Sequence, residues 1–129
     1  MARVLLVGID PTEVDFSDPG LPPGFDADFI RRGLVQAIAD LTAQGHHADQ
    51  LFIPADASRL DGLARRLASE PVDCVVIGGG VRHPPQNLAL FEAVINHAIR
   101  AEHSPLIGLV DHPAQAAEAV GRALGQLSA

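Results

Sequence analysis

The chain has 129 residues, of which 47% are hydrophobic and 19% are charged, and its formal net charge is −7. A chain of this length is expected to fold as one domain, and we predict a single domain over residues 1–129. No apolar run approaches the roughly 20 residues of a membrane span, and no secretion signal is recognisable. We therefore expect a cytoplasmic protein that does not bind membranes.

The residue types that are missing exclude several kinds of chemistry. All basic residues are arginines, which excludes lysine Schiff bases and the P-loop lysine. The net negative charge, without a clustered basic face, argues against nucleic-acid binding. The single cysteine, Cys74, excludes an internal disulfide framework and a cysteine-rich zinc site, and no metal site is predicted. We expect Cys74 to be an inert core residue.

Short apolar runs alternate with segments of helical period along the whole chain. The apolar runs cover residues 4–9, 51–53, 74–77 and 106–110. Each run ends at Gly, Pro or Asp, as do strands of a parallel sheet that is covered on both faces. Right-handed crossovers then predict a three-layer α/β/α sandwich, flavodoxin-like, with a four-stranded parallel sheet in the order 2-1-3-4. The fourth strand would be an edge strand, which suggests a homodimer.

The helical segments carry apolar stripes with cap residues at their ends. The stripes cover residues 30–41, 60–67, 88–98 and 117–127. Asp26 and Ser58 are predicted to cap the first two helices, and Asp111 or His112 to cap the last. Gly45 is predicted to end the first helix.

Two unusual loops should meet at the carboxyl ends of strands 1 and 3, where ligands bind in open parallel sheets. The acidic loop, residues 10–25, is far longer than the usual connection of about two to six residues, and it is rich in Pro and Asp. We interpret it as a lid in which Asp10 and Ser17 contact a ligand or help to hold a cation. The alternative is a rigid surface loop, pinned by its apolar side chains, whose acids stay solvated.

The glycine loop, residues 78–85, follows strand 3. The amides of Gly78, Gly79 and Gly80 could cradle an anion, and Arg82 could bind a carboxylate or phosphate. His83 could act as an acid or base near neutral pH, and could face His112 across the crevice. The alternative is a tight turn with Arg82 paired to a carboxylate of the acidic loop. Pro84 and Pro85 interrupt the pattern that a dinucleotide-binding fingerprint requires.

Two stretches carry a resemblance to known proteins, VLLVGIDPTEVDFSDPGLPPG (residues 4–24) and DCVVIGGGVRHPPQNLALFEAVINHAI (residues 73–99). They resemble a family of small bacterial proteins with a flavodoxin-like or response-regulator-like α/β fold. The resemblance implies this Rossmann-like fold and no particular activity. A receiver domain would need an Asp after strand 3 and a lysine, and a flavodoxin would need a hydroxyl-rich phosphate loop. Neither is present, so no cofactor is predicted.

The leading hypothesis is a domain that binds a small polar or anionic ligand between strands 1 and 3. Its proposed contacts are Asp10, Ser17, Gly78, Gly79, Gly80, Arg82 and His83. One alternative is a hydrolase or lyase with His83 as general acid or base, oriented by Asp10. Another is a receiver-like interaction module without catalytic activity, which would bind its partner through the free sheet edge and the last helix.

Overall fold

A computed structural model describes residues 1–19, 21 and 23–126 of the chain. Its strands are β1 (Arg3–Ile9), β2 (His47–Ile53), β3 (Cys74–Ile77) and β4 (Leu106–Leu109). They form one parallel sheet in the order β2-β1-β3-β4, which confirms the predicted topology. Strand β2 is longer than its apolar run, because the pairing with β1 also includes the mainly polar segment from His47 to Gln50.

The described residues form five α-helices. They are α1 (Ala27–Ala43), α2 (Asp61–Ser69), α3 (Gly79–Arg82), α4 (Leu88–Ile99) and α5 (Ala116–Gln126). The single turn α3 was not predicted, and only Gly78 separates it from β3. Leu127, expected in the last apolar stripe, lies outside the described residues. None of the described helices is both long and apolar enough to cross a bilayer.

The helices cover the two faces of the sheet as two separate cores. Alternate residues of a strand point to opposite faces. Leu5 and Val7 therefore join one buried cluster with residues of α2 and α4, whereas Val4 and Leu6 join another with residues of α1 and α5. This arrangement confirms the three-layer sandwich. It leaves the carboxyl ends of all four strands at one edge, where the long loops lie.

The helix ends test the predicted caps. The Asp26 carboxylate accepts the Phe29 N–H at 2.7 Å and caps α1, and Gly45 follows that helix with φ +86°, so both predictions are confirmed. The prediction for Ser58 is wrong. Its N–H and hydroxyl donate to Asp56 at 2.8 and 2.6 Å, and α2 begins only at Asp61 without a side-chain cap. The N-cap position of α2 is occupied by Leu60, so Ser58 lies too early in the chain to cap this helix.

Candidate functional site

The acidic loop and the glycine loop lie side by side at the carboxyl edge of the sheet, as predicted. The Gly78 N–H donates to the Val7 carbonyl at 2.9 Å, which joins the ends of β1 and β3. The side chain of Gln86, the residue after the glycine loop, donates to the Asp18 carboxylate of the acidic loop. The ring of Phe25 comes within 3.8 Å of the position that a Cβ on Gly80 would occupy.

Asp10 and Ser17 take part in local turns of the acidic loop. The Asp10 carboxylate accepts the Thr12 N–H at 2.9 Å and the Thr12 hydroxyl at 2.8 Å, and these bonds hold the pKa of Asp10 below its usual value. The Ser17 hydroxyl and N–H donate to Asp15 at 2.6 and 3.0 Å, and lower the pKa of Asp15 in the same way. Both predicted ligand contacts are therefore engaged within their own loop.

The spacing of these residues was a signal that sequence reasoning missed. In loops, Asp followed two residues later by Ser or Thr occurs at Asp10, Asp15 and Asp56, and each of these pairs makes the same two bonds. A fourth occurrence, Asp40 and Thr42, lies inside α1. A short carboxylate that bonds the chain two residues on is the Asx turn. Outside a helix, the pattern predicts a turn stabilised by the aspartate itself.

The acidic loop is also fixed to the rest of the molecule. The Glu13 carboxylate accepts the Ala55 N–H at 3.3 Å and lies 3.4 Å from a terminal nitrogen of Arg59. The rings of Phe16 and Phe25 lie 6.4 Å apart, centroid to centroid, which adds an apolar contact. These contacts favour the rigid-loop interpretation for the described part of the loop; Gly20 and Pro22 lie outside it.

The glycine loop uses its glycines for close packing. Gly78 has φ −70°, and the positive-φ glycines of the described chain are Gly24 and Gly45. A Cβ on Gly79 would stand 2.2 Å from the Asp111 carbonyl oxygen, so only glycine fits there without a shift of the backbone. The Gly78 amide, predicted to contact an anion, is occupied by the Val7 carbonyl.

This close approach assembles what we call the Arg–His–Asp cluster, formed by Arg82, His83 and Asp111. One terminal nitrogen of Arg82 donates to Asp111 Oδ1 at 2.7 Å, and His83 Nε2 lies 2.9 Å from the same oxygen. The hydrogen bonds from Arg82 and from His83 hold the pKa of Asp111 below its usual value. The Asp111 side chain is 55% exposed, and those of Arg82 and His83 are 28% exposed.

Asp111 is the site residue that sequence reasoning assigned to another role. It was predicted as a cap for the last helix, but its carboxylate binds Arg82 and His83 instead. Arg82 pairs with this strand-end carboxylate rather than with one from the acidic loop. The signal was present, because Asp111 lies two residues beyond the end of β4 and therefore at the same sheet edge as the glycine loop.

The other histidine at this edge has a different environment. The ring of His112 packs edge-on against Phe29 with centroids 5.7 Å apart, and His112 makes no side-chain cap bond. Its buried Nδ1 has no hydrogen-bond partner among the described residues. Asp10 was proposed to orient His83, but its carboxylate accepts a hydrogen bond from Thr12. The carboxylate that forms a hydrogen bond with His83 is that of Asp111.

An apolar cavity of about 50 Å³ lies beside this cluster, under α1. It is bounded by Gly78, Gly79 and Gly80 and by side chains of β1, β2, β3 and α1. Val110 separates it from the cluster, since its side chain lines the cavity and its carbonyl accepts from Arg82 at 3.4 Å. The crevice between β1 and β3 is therefore apolar, and the polar groups lie next to it.

Neither a metal centre nor a reactive thiol is found in the described chain. No group of three or more His, Cys, Asp or Glu side chains there is arranged to hold a metal ion. Cys74 is fully buried, and burial raises the pKa of its thiol to about 11. The thiolate that a nucleophile requires is therefore suppressed at neutral pH.

Comparisons with known proteins do not assign the chain to a family. No family model matches the chain, and no curated protein matches it significantly. The resemblance to the small bacterial family stays a prediction. The functional argument therefore depends on the fold and on the geometry of the Arg–His–Asp cluster.

Proposed function

We propose that this domain binds a small anion, a carboxylate or a phosphate, at the Arg–His–Asp cluster. The observation that carries the proposal is the convergence of two donors, from Arg82 and His83, on the single oxygen Asp111 Oδ1 at 2.7 and 2.9 Å. N–H groups that already converge on one carboxylate oxygen are in position to bind an oxygen of another anion. A ligand anion would take the place of the Asp111 carboxylate.

The hydrogen bonding of Arg82 supports this proposal. Its Nε is buried and has no hydrogen-bond partner within the described chain, while a terminal nitrogen carries the bonds to Val110 and Asp111. A planar guanidinium binds carboxylate or phosphate best through two parallel N–H groups. A ligand oxygen on Nε would satisfy a donor that Asp111 leaves unpaired.

The position of the cluster is also favourable. It lies at the carboxyl ends of β3 and β4, the edge at which open parallel sheets bind ligands. The half-exposed Asp111 carboxylate keeps the cluster accessible to solvent. Gly79 contributes by allowing the turn that carries Arg82 and His83 to approach Asp111.

Removal of the internal carboxylate tests the proposal. We expect Asp111→Asn to bind inorganic phosphate or acetate roughly tenfold more tightly than the unmodified protein, because a competing anion has been removed. Chemical-shift titration of the Arg82 Nε–H would measure the affinity. Arg82→Ala, introduced into Asp111→Asn, should abolish the binding.

The matched control is Arg122, which also donates to a carbonyl of β4, that of Leu109 at 3.0 Å, and lies 3.7 Å from the Glu118 carboxylate. Arg122→Ala should leave the affinity for phosphate and acetate unchanged. If Asp111→Asn binds neither anion, or if Arg122→Ala weakens binding as much as Arg82→Ala, the cluster is a structural contact between α3 and β4 and the proposal is wrong.

A second candidate function is general acid–base catalysis by His83, as in a hydrolase or lyase. The observation that favours it is the 2.9 Å contact between His83 Nε2 and Asp111, which would orient the ring with Nδ1 as the proton acceptor. We expect His83→Ala to lower any hydrolysis of p-nitrophenyl acetate roughly 100-fold or more, whereas the exposed His103→Ala should not. Equal rates in both variants would eliminate this candidate.

Two further expectations stay predictions. Strand β4 lies at a free edge of the sheet, and a homodimer through that edge would be detected as a doubled mass in solution. Location in the cytoplasm would be tested by fractionation of the source cells.

A further inference from the structure

The two edge strands of the sheet differ in whether their outward main-chain groups are already bonded. The edge strands are β2 and β4, and each has one side without a neighbouring strand. In a parallel ladder, the N–H and carbonyl groups of alternate residues point to the neighbouring strand, and those of the residues between them point away from it. An edge strand with unpaired groups can pair with another chain unless the protein covers those groups.

The edge strand β4 is covered at its carboxyl end. The Val110 N–H donates to β3 at 3.2 Å, so the main-chain groups of Leu109 and Asp111 point away from the sheet. The side chain of Arg122 donates to the Leu109 carbonyl at 3.0 Å. The side chain of Gln115 accepts the Asp111 N–H at 2.9 Å. Another strand would have to displace both side chains to pair there.

The edge strand β2 keeps its outward groups unpaired. The His47 N–H donates to the residue before β1, and the Ile53 carbonyl accepts from the residue after β1, both at 2.9 Å. The odd-numbered residues of β2 therefore bond β1, and the even-numbered residues Ala48, Gln50 and Phe52 turn their main-chain groups outward. These outward groups form no hydrogen bond with another residue of the described chain.

The outward groups of β2 are symmetric about Gln50. A second copy in antiparallel orientation brings Gln50 opposite Gln50 and Ala48 opposite Phe52, so that each pair exchanges two main-chain hydrogen bonds. Shifting the register by two residues one way places Phe52 opposite His46, whose N–H already donates to α1. The opposite shift places Ala48 opposite Pro54, which has no N–H. The edge is therefore complementary to itself about a two-fold axis at Gln50.

The side chains of β2 fit the same pairing. The ring of Phe52 is 40% exposed, and in this register it is covered by the second copy beside the small side chain of Ala48. On the other face of β2, the Asp49 carboxylate is compensated within its own chain. Its Oδ2 lies 3.1 Å from a terminal nitrogen of Arg66 and 3.2 Å from His47 Nε2. The pairing therefore brings no uncompensated charge to the axis.

We propose that two copies of this chain associate through β2, antiparallel about Gln50, and form one continuous sheet. This interface lies at the opposite side of the sheet from β4. It therefore leaves the Arg–His–Asp cluster, at the carboxyl ends of β3 and β4, uncovered. The dimer does not depend on the binding of an anion at that cluster.

Sedimentation equilibrium of the full chain tests the proposal. An interface formed by one strand is small and therefore weak, so the mean mass should rise from one chain toward two between roughly 0.01 and 1 mM protein. Phe52→Lys should remain a monomer over this range, because the apolar contact is lost and a charge stands at the edge. The matched control is Leu109→Lys, at a 37% exposed apolar side chain of β4, which should associate like the unmodified protein.

Hydrogen exchange of the unmodified chain gives a readout that does not require a variant to fold. At about 1 mM, the amides of Ala48, Gln50 and Phe52 should exchange roughly tenfold more slowly than in dilute solution, whereas those of Ile107 and Leu109 should not change. A chain that stays monomeric at about 1 mM, protection of the β4 amides instead, or a dimer that Leu109→Lys dissociates and Phe52→Lys does not, would overturn the proposal.

Discussion

Replacing Gly79 with alanine is expected to lower the free energy of unfolding by about 3 kcal/mol. The new Cβ would lie 2.2 Å from the carbonyl oxygen of Asp111 and 2.9 Å from its carbonyl carbon. These are backbone atoms, so the clash cannot be relieved by rotating a side chain. Either α3 or the end of β4 must shift, which would also separate Asp111 from Arg82 and His83. Urea unfolding followed by circular dichroism would measure the loss.

The neighbouring glycines provide matched controls for this substitution. A Cβ on Gly80 would make an ordinary contact of 3.8 Å with the ring of Phe25, and one on Gly78 would stand 3.4 Å from the Val7 carbonyl oxygen. Gly80→Ala should therefore change the free energy of unfolding by no more than about 1 kcal/mol, and Gly78→Ala by less than Gly79→Ala. If the three variants unfold at the same urea concentration, the close approach of Gly79 to Asp111 is wrong.

Truncating Leu41 to alanine is expected to lower the free energy of unfolding by about 2–5 kcal/mol. Leu41 is 0% exposed in α1 and belongs to the core between that helix and the sheet. The substitution removes buried apolar atoms and leaves a space that a close-packed interior fills only in part. Chemical denaturation at equilibrium would measure the change.

Leu88→Ala is the control, since it makes the same chemical change in a helix at a side chain that is 63% exposed. Its expected effect is within about 0.5 kcal/mol. Similar losses in the two variants would contradict the assignment of Leu41 to a packed core.

The candidate site was only partly predictable. Arg82 and His83 were identified because an unusual glycine loop follows a buried strand, and such loops lie where parallel sheets bind ligands. Their partner Asp111 was not, because it lies 28 residues further along the chain from His83 and a strand-end aspartate is equally typical of a helix cap. Asp10 and Ser17 were assigned to the ligand, although the bonds they form join residues only two apart.

The sequence by itself determined the fold, since strand runs, helical stripes, and breaks at Gly and Pro are local patterns, and right-handed crossovers limit how they assemble. It also determined which edge of the sheet carries the unusual loops. Only the tertiary structure decided that Gly79 brings Arg82 and His83 onto Asp111, and that the crevice between β1 and β3 is lined by apolar side chains. Contacts between residues on different strands depend on strand register and on packing distances. Local sequence patterns carry no information about these quantities, so the contacts could not be predicted from them.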